Sequence, residues 1–335
     1  MVAMTIPVFH DLGEGVFCID ALYIAPELAC CYLMRGADEY ALIETGTSRS
    51  VGNIMSTLDA LNVSPEQLRY VIPTHVHLDH AGGAGQLMRK FPEATLLIHP
   101  RGARHMIDPE RLVASSEQVY GKTAFAKLYG KVLSVPECRV RSLEDGARIA
   151  LGTRVLRVLH TRGHAEHHLC LCDEQSAGWL SGDMFGVSYP TLRFPEGSFV
   201  MPATTPTQFN PQLYQQSVRR LADSQPRQMY LTHYSTLPFV DTQADTLCRQ
   251  LDAYAELVTA EGNPGSQDTV DAILEITAAE LRRIVDQHRA EAAARSLTAD
   301  AQLNAQGVLF LRQSRARARQ EGWRGGSQAA DELPS

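Results

Sequence analysis

The sequence predicts an α/β fold with a helical C-terminal extension, and three observations carry that reading. Short β-branched and aromatic runs alternate with amphipathic helical segments as far as about residue 238. Beyond that point the apolar residues recur only at helical spacing. The 335 residues, 44% of them hydrophobic, supply a core large enough for one principal domain and an appended module.

Residues 16–23, 28–34 and 40–44 read as strands separated by Gly, Pro and Asp. Over 49–62, Val51, Ile54, Leu58 and Leu61 share one helical face, and Ser64-Pro65-Glu66 then turns the chain into the apolar strand Tyr70-Val71-Ile72-Pro73. A helix over about 83–91 leads to the strand Thr95-Leu96-Leu97-Ile98. Residues 100–135 read as a helical insertion, in which Tyr120, Phe125, Leu128 and Tyr129 offer surface either for the core or to overhang a site. Strands at 154–159, 167–172 and 178–181, a helix at 211–223 and a strand at 228–231 complete a domain spanning 1–238.

In the extension, 239–320, Leu247, Leu251, Tyr254 and Val258 form an apolar stripe suited to shaping a pocket or to a homodimer contact. After Gly262-Asn263-Pro264-Gly265, the run Thr277-Ala278-Ala279-Glu280 has the capping-box pattern ahead of a helix carrying Leu281, Ile284 and Val285. An Ala/Gln/Arg-rich helix follows at about 299–318, and 321–335 has too little apolar content to pack, so a flexible tail is expected.

Composition narrows the function. A net charge of −7 opposes nucleic acid or an anionic membrane as partner, because phosphate binding needs concentrated positive charge. Arg312, Arg315, Arg317 and Arg319 spread around a helix and suit a solvated or subunit-contacting face. No stretch is long and apolar enough to span a bilayer, and Met1–Ile6 has no basic n-region, so a cytoplasmic location is expected. The seven scattered cysteines fit a reduced compartment. Cys30 and Cys31 cannot easily bridge each other, and Cys170 and Cys172 share one strand face.

Chemistry concentrates in Thr74-His75-Val76-His77-Leu78-Asp79-His80-Ala81-Gly82-Gly83, after an apolar strand and before a helix. Imidazole nitrogen and carboxylate oxygen are ligands that zinc, iron and manganese accept, and a strand-end loop can fan them toward one centre. The segment resembles the HxHxDHxGG signature of the metallo-β-lactamase fold superfamily, with every signature position filled. The later family motifs have counterparts in the right order: Thr161-Arg162-Gly163-His164, Trp179-Leu180-Ser181-Gly182-Asp183 and Met229-Tyr230-Leu231-Thr232-His233. The resemblance covers roughly residues 10–235. It implies a four-layer αβ/βα sandwich related to the stand-alone hydrolases of glyoxalase II and lactonase type.

By that resemblance His75, His77 and His164 hold one metal, Asp79, His80 and His233 a second, and Asp183 bridges them. Two cations close together repel, and a shared carboxylate offsets that repulsion. His168 stands where many relatives have a histidine that orients a ligand rather than binding metal. Glu44-Thr45-Gly46 occupies the place of the usual Asp-Thr-Gly, so a longer side chain would take the supporting role there. His167 has no assigned role, and His10, His99, His105, His160 and His288 match no motif.

The expected activity is binuclear metal-dependent hydrolysis of a small ester, thioester or lactone. Two divalent ions, zinc first and iron or manganese next, would lower the pKa of a bridging water from 15.7 toward roughly 7. Asp79 would orient the resulting hydroxide, and Tyr189 is a candidate hydrogen-bond donor to an oxyanion. The alternative is an iron-dependent oxygen or sulfur redox enzyme on the same fold, of persulfide-dioxygenase or di-iron type; a phosphodiesterase or nuclease is disfavoured by the charge. The expected partner is a small-molecule substrate.

Overall fold

A computed structural model describes residues 7–328 except 205, 206, 261, 263 and 264, with side chains described as far as 318. Its first sheet runs in chain order through β1 (Phe9–Asp11), β2 (Val16–Asp20), β3 (Cys30–Gly36), β4 (Glu39–Ile43), β5 (Leu68–Ile72), β6 (Thr95–Ile98) and β7 (Val140–Ser142). The first four strands pair antiparallel in succession. From β4 onward the pairing is parallel, which requires crossovers. These are α1 (Val51–Ala60), then α2 (Leu78–Ala81) with α3 (Ala84–Lys90), then the insertion helices α4 (Pro100–Ile107), α5 (Glu110–Tyr120) and α6 (Lys122–Leu128).

The second sheet contains β8 (Arg148–Leu151), β9 (Arg154–Thr161), β10 (His168–Asp173) and β11 (Gly178–Gly182). After a short ribbon of β12 (Arg193–Phe194) and β13 (Gly197–Ser198), α7 (Pro211–Ala222) crosses over to β14 (Gln228–Leu231) and the edge strand β15 (Ser235–Pro238). Period-2 alternation divides the side chains into layers. Val16, Cys18, Tyr32, Ile43, Ile72, Val158, Leu169, Leu171 and Leu180 meet between the sheets. On the outer face of the first sheet, Phe17, Ile19, Leu33, Leu42 and Val71 pack with Ile54, Leu58 and Leu87 of its helices. The protein is thus the four-layer sandwich that the resemblance implied.

The extension comprises α8 (Asp241–Thr259), α9 (Ser266–Leu281), α10 (Gln287–Ser296) and α11 (Thr298–Gln328), and two details of it correct the sequence reading. Leu247, Leu251, Tyr254 and Val258 are buried in one continuous core with Trp179, Met229 and Leu231 of the second sheet. The stripe is therefore consumed within the chain and is not free for a second subunit. Thr277-Ala278-Ala279-Glu280 lies inside α9, where the Thr277 hydroxyl donates to the Ile273 carbonyl at 2.8 Å. The helix starts at Ser266 instead, where the Asp268 carboxylate accepts from Gly265 N at 2.8 Å. Finally, α11 continues as helical backbone to Gln328, so only 329–335 of the expected tail lie outside the described residues.

The seven cysteines are all free thiols. Among the described residues no helix is long and apolar enough to cross a membrane.

Candidate metal centre

The motif histidines and aspartates gather at one edge of the sandwich, where β4, β5, β11 and β14 end. Pro73 cannot extend the β5 ladder, and the chain turns through 74–77 into α2. Two glycines are required by the close approach there. Gly163 has φ +112°, and a Cβ on it would lie 2.1 Å from the Tyr214 nitrogen. Gly182, at φ +53°, sits against the Thr74 hydroxyl and the His168 ring, 2.5 and 2.7 Å from where its Cβ would be.

His75 Nε2, His77 Nδ1 and His164 Nε2 converge with mutual separations of 2.7, 3.1 and 3.3 Å. The bonds at the far sides of two rings show what these nitrogens carry. His164 Nδ1 lies 2.8 Å from the Ala203 carbonyl, which only accepts, so the ring proton is on Nδ1. Thr74 Oγ1 donates to Glu44 Oε1 at 2.5 Å and therefore accepts from His75 Nδ1 at 3.1 Å. These tautomers follow from the network. They leave Nε2 of both rings as lone pairs aimed at each other and at His77, an arrangement that a cation satisfies. A tetrahedral ion with bonds of about 2.0–2.1 Å places nitrogen ligands about 3.3 Å apart, close to the separations here.

The same logic holds beside it. His80 Nδ1 donates to Glu44 Oε1 at 3.0 Å, and His233 Nδ1 donates to the Leu28 carbonyl at 2.7 Å. Their Nε2 atoms face Asp79 Oδ2 at 3.7 and 3.6 Å. Asp183 joins the two groups. Its Oδ2 is 3.3 Å from His164 Nε2, while its Oδ1 is 3.2 Å from His80 Nε2 and 3.7 Å from His233 Nε2. His80 Nε2 and Asp183 Oδ1 are both buried and, despite their proximity, make no hydrogen bond. Buried polar atoms of this kind demand a partner, and a shared cation is one that the donor set fits.

The electrostatics differ across the centre. Burial first, then repulsion among the rings, holds His75 and His77 well below the usual histidine pKa. Burial also opposes charge on His80, but Asp183, Glu44 and Asp79 outweigh it and push its pKa well up. Asp183 is held well below the usual carboxylate range, because His80, His164 and His233 overcome the effect of its burial. Glu44 reaches where the sequence left its role open: it accepts from Thr74 N, Thr74 Oγ1, His80 Nδ1 and Thr232 Oγ1 at 2.5–3.1 Å.

Residues 24–233 match the family model described as the metallo-beta-lactamase superfamily. The chain belongs to that superfamily. The chain's curated relatives include proteins named acyl-coenzyme A thioesterase and probable metallo-hydrolase, and it falls with these metallo-hydrolases. It is 26% identical over 212 residues to the metallo-beta-lactamase fold-containing protein ST1585 of Sulfurisphaera tokodaii, covering 62% of this chain and 73% of that one. The solved ST1585 structure superposes with a TM-score of 0.60 at 21% identity, over 88% of this chain and 98% of that one. The human acyl-coenzyme A thioesterase MBLAC2 is 27% identical over 188 residues, 52% of this chain. That match spans 64% of the thioesterase, a little under two thirds of its length.

Two neighbours of the superfamily motifs have distinct places. His168 is not among the converging nitrogens: its Nε2 accepts from Asp183 N at 3.3 Å and its Nδ1 bonds Thr161 Oγ1 at 2.7 Å, so it steadies the Asp183 backbone. Tyr189 corrects an expectation. Its single hydroxyl proton goes to Asp300 Oδ1 on α11 at 2.8 Å, which leaves none for an oxyanion. His167, without a role in the sequence reading, is buried with its ring centroid 5.7 Å from that of His77.

The wall beside Asp79 includes Phe125 and Tyr129, which the sequence offered either for the core or to overhang a site, and adds Tyr23, which it did not single out. Tyr23 stacks on Tyr129 with centroids 6.1 Å apart, and Phe125 and Tyr129 pack with Leu78. Burial, and after it the Asp79 charge, pushes both phenols' pKa upward. The aromatic residues of the insertion were visible as a cluster, but their docking on α2 is a tertiary fact. The carbonyls of Ala203 and Leu28 were invisible for another reason: a backbone acceptor carries no residue signature.

Proposed function

We propose that this chain is a binuclear zinc hydrolase that cleaves a small acyl thioester, ester or lactone. The observation that carries the reading is Asp183, whose two oxygens face two separate groups of oriented imidazole nitrogens. His75, His77 and His164 would hold one ion, Asp79, His80 and His233 the other. When bound, the ions supply an acidified water at neutral pH and an electrophile for the acyl carbonyl.

The chain's own residues do the positioning. Asp79 is more exposed than Asp183, its side chain 21% accessible against 7%, and it sits at the first turn of α2. It can therefore reach both the second ion and a water at the solvent side, and accept a hydrogen bond that aims that water at the substrate. The neighbouring Leu78, Phe125, Tyr23 and Tyr129 offer an apolar wall for an acyl group. The acyl-coenzyme A thioesterase relatives support a thioester as the first substrate to try. A net charge of −7 supports a small molecule over a polyanion.

The test is elemental analysis after expression with zinc, iron and manganese all supplied, followed by a panel of acyl thioesters, esters and lactones. Two zinc ions per chain and turnover on one class are expected. Iron with a visible band that responds to oxygen would move the protein to the redox alternative, and metal-loaded protein inert to the whole panel would overturn hydrolysis of these bonds.

A further inference from the structure

The far side of the His164 ring is held by a bond from Nδ1 to the Ala203 carbonyl at 2.8 Å, which turns Nε2 toward the centre. Ala203 lies in the irregular segment between β13 and α7, just after the isolated bridge that pairs Met201 with Val187. No strand ladder holds it. A histidine braced from such a segment depends on how well the segment is placed.

The fixing comes from the last helix. Asn304 on α11 is 2% exposed, and its side-chain amide bonds both neighbours of Ala203. Nδ2 donates to the Pro202 carbonyl at 2.8 Å, and Oδ1 accepts from Thr204 N at 2.9 Å. The Thr204 hydroxyl adds a bond to the Asn304 carbonyl at 3.2 Å. One carboxamide, with its donor and acceptor side by side, thus does for this segment what a neighbouring strand would do. Ala203 N in turn donates to the Tyr214 hydroxyl at 3.3 Å, and that hydroxyl donates to the Asp183 carbonyl. The peptide is gripped on both sides, with Ala203 O left facing His164. One turn earlier on the same face of α11, Asp300 receives Tyr189.

We propose that Asn304 is a positioning residue of the metal centre: the C-terminal extension fixes His164 by clamping the segment that presents the Ala203 carbonyl. This rests on the reading that His75, His77 and His164 hold an ion, and it goes beyond that reading by making the extension part of the centre.

Three variants test it. Asn304→Leu keeps the size and removes both bonds to the segment, together with the Nδ2 bond to the Tyr254 hydroxyl at 3.4 Å. Asn304→Asp keeps the acceptor for Thr204 N but sets a carboxylate oxygen against the Pro202 carbonyl. Val308→Ala, a buried position one turn further along α11, loosens the helix's packing and removes no hydrogen bond to the segment. The readouts are stepwise zinc affinity by chelator competition, the exchange rate of the His164 Nδ1 proton in 15N-labelled zinc protein, and the melting temperature of the metal-free form.

Both Asn304 variants should weaken one of the two zinc steps, by about tenfold for the leucine, and speed the His164 proton's exchange. Val308→Ala should lower the melting temperature and change neither. Wild-type zinc binding and proton exchange in Asn304→Leu would overturn the proposal, as would equal weakening in Val308→Ala; if the leucine variant does not fold, the aspartate carries the same test. None of these readouts uses a substrate. Failure of the hydrolysis panel therefore leaves the proposal standing, whereas wild-type protein that takes up no zinc overturns both.

Discussion

The two halves of the metal centre orient their histidines by different means. On the His75, His77 and His164 side the far ring nitrogens are braced by neutral oxygens, the Thr74 hydroxyl and the Ala203 carbonyl. On the His80 and His233 side one brace is the buried carboxylate of Glu44 and the other the Leu28 carbonyl. The first side keeps its rings neutral through burial and mutual repulsion, which suits them to donate lone pairs. The second side has carboxylates around His80 and attracts positive charge. Imidazole-rich and carboxylate-rich sites thus stand side by side, and Asp183 is their common member.

That contrast breaks most completely at Asp183. Asp183→Ala removes the carboxylate from both sides and leaves the repulsion between two cations uncompensated. Metal retention after chelator washing should fall for both ions, by well over the roughly 10–100-fold that losing an outer partner costs, and turnover should fall with it. A variant that keeps two ions and full turnover would show that Asp183 bridges nothing.

Glu44→Gln sharpens the contrast. The amide matches the carboxylate in size but has one acceptor oxygen, whereas Glu44 accepts four hydrogen bonds. The amide oxygen, set in the Oε1 position, still accepts from His80, Thr74 Oγ1 and Thr232 Oγ1 but without the charge, and the NH2 group faces Thr74 N. His80's brace should therefore weaken, and one zinc step should fall by about tenfold. Because Thr74 links Glu44 to His75, the other step should move less, so a stepwise titration should show two unequal losses. Equal losses would mean that Glu44 supports the centre as a whole and that the two sides are not separately braced.

The sequence made the ligands legible and left most of the bracing hidden, for a physical reason. Side chains able to bind metal are of particular types, so the candidate ligands His75, His77, Asp79, His80, His164, Asp183 and His233 could be read from residue type and order and from the likeness to the superfamily, and the fold brings their donor atoms together. Strand Gln228–Leu231 and helix Pro211–Ala222 were equally plain, because periodicity and a proline start marked them. Tyr189 misled because its partner, Asp300, lies 111 residues away on a helix whose packing no local pattern reveals. The Thr277–Glu280 run misled because a capping pattern inside a helix looks the same as one at its start.

The smallest expected effect lies away from both halves, at His99. This histidine caps α4, its Nδ1 accepting from Arg101 N at 3.0 Å, and its ring lies 4.1 Å from that of His160. Burial first, then the neighbouring His160 and Arg101, lowers its pKa to about 4, against 6.5 for the free side chain; Glu166 and Asp145 oppose the shift. A base with a lowered folded pKa stabilises the fold fully above the unfolded value, and that contribution is lost as pH falls from about 6.5 through about 4. His99→Asn keeps a capping oxygen and removes the titration. The melting temperature of metal-free wild-type protein should therefore fall more steeply than the variant's over that window, with little difference between them at pH 8. Using metal-free protein matters, because acid also strips the ions by protonating their ligands. Parallel curves would mean that His99 reaches its protonated form as easily folded as unfolded, and that its burial around the cap opens in acid.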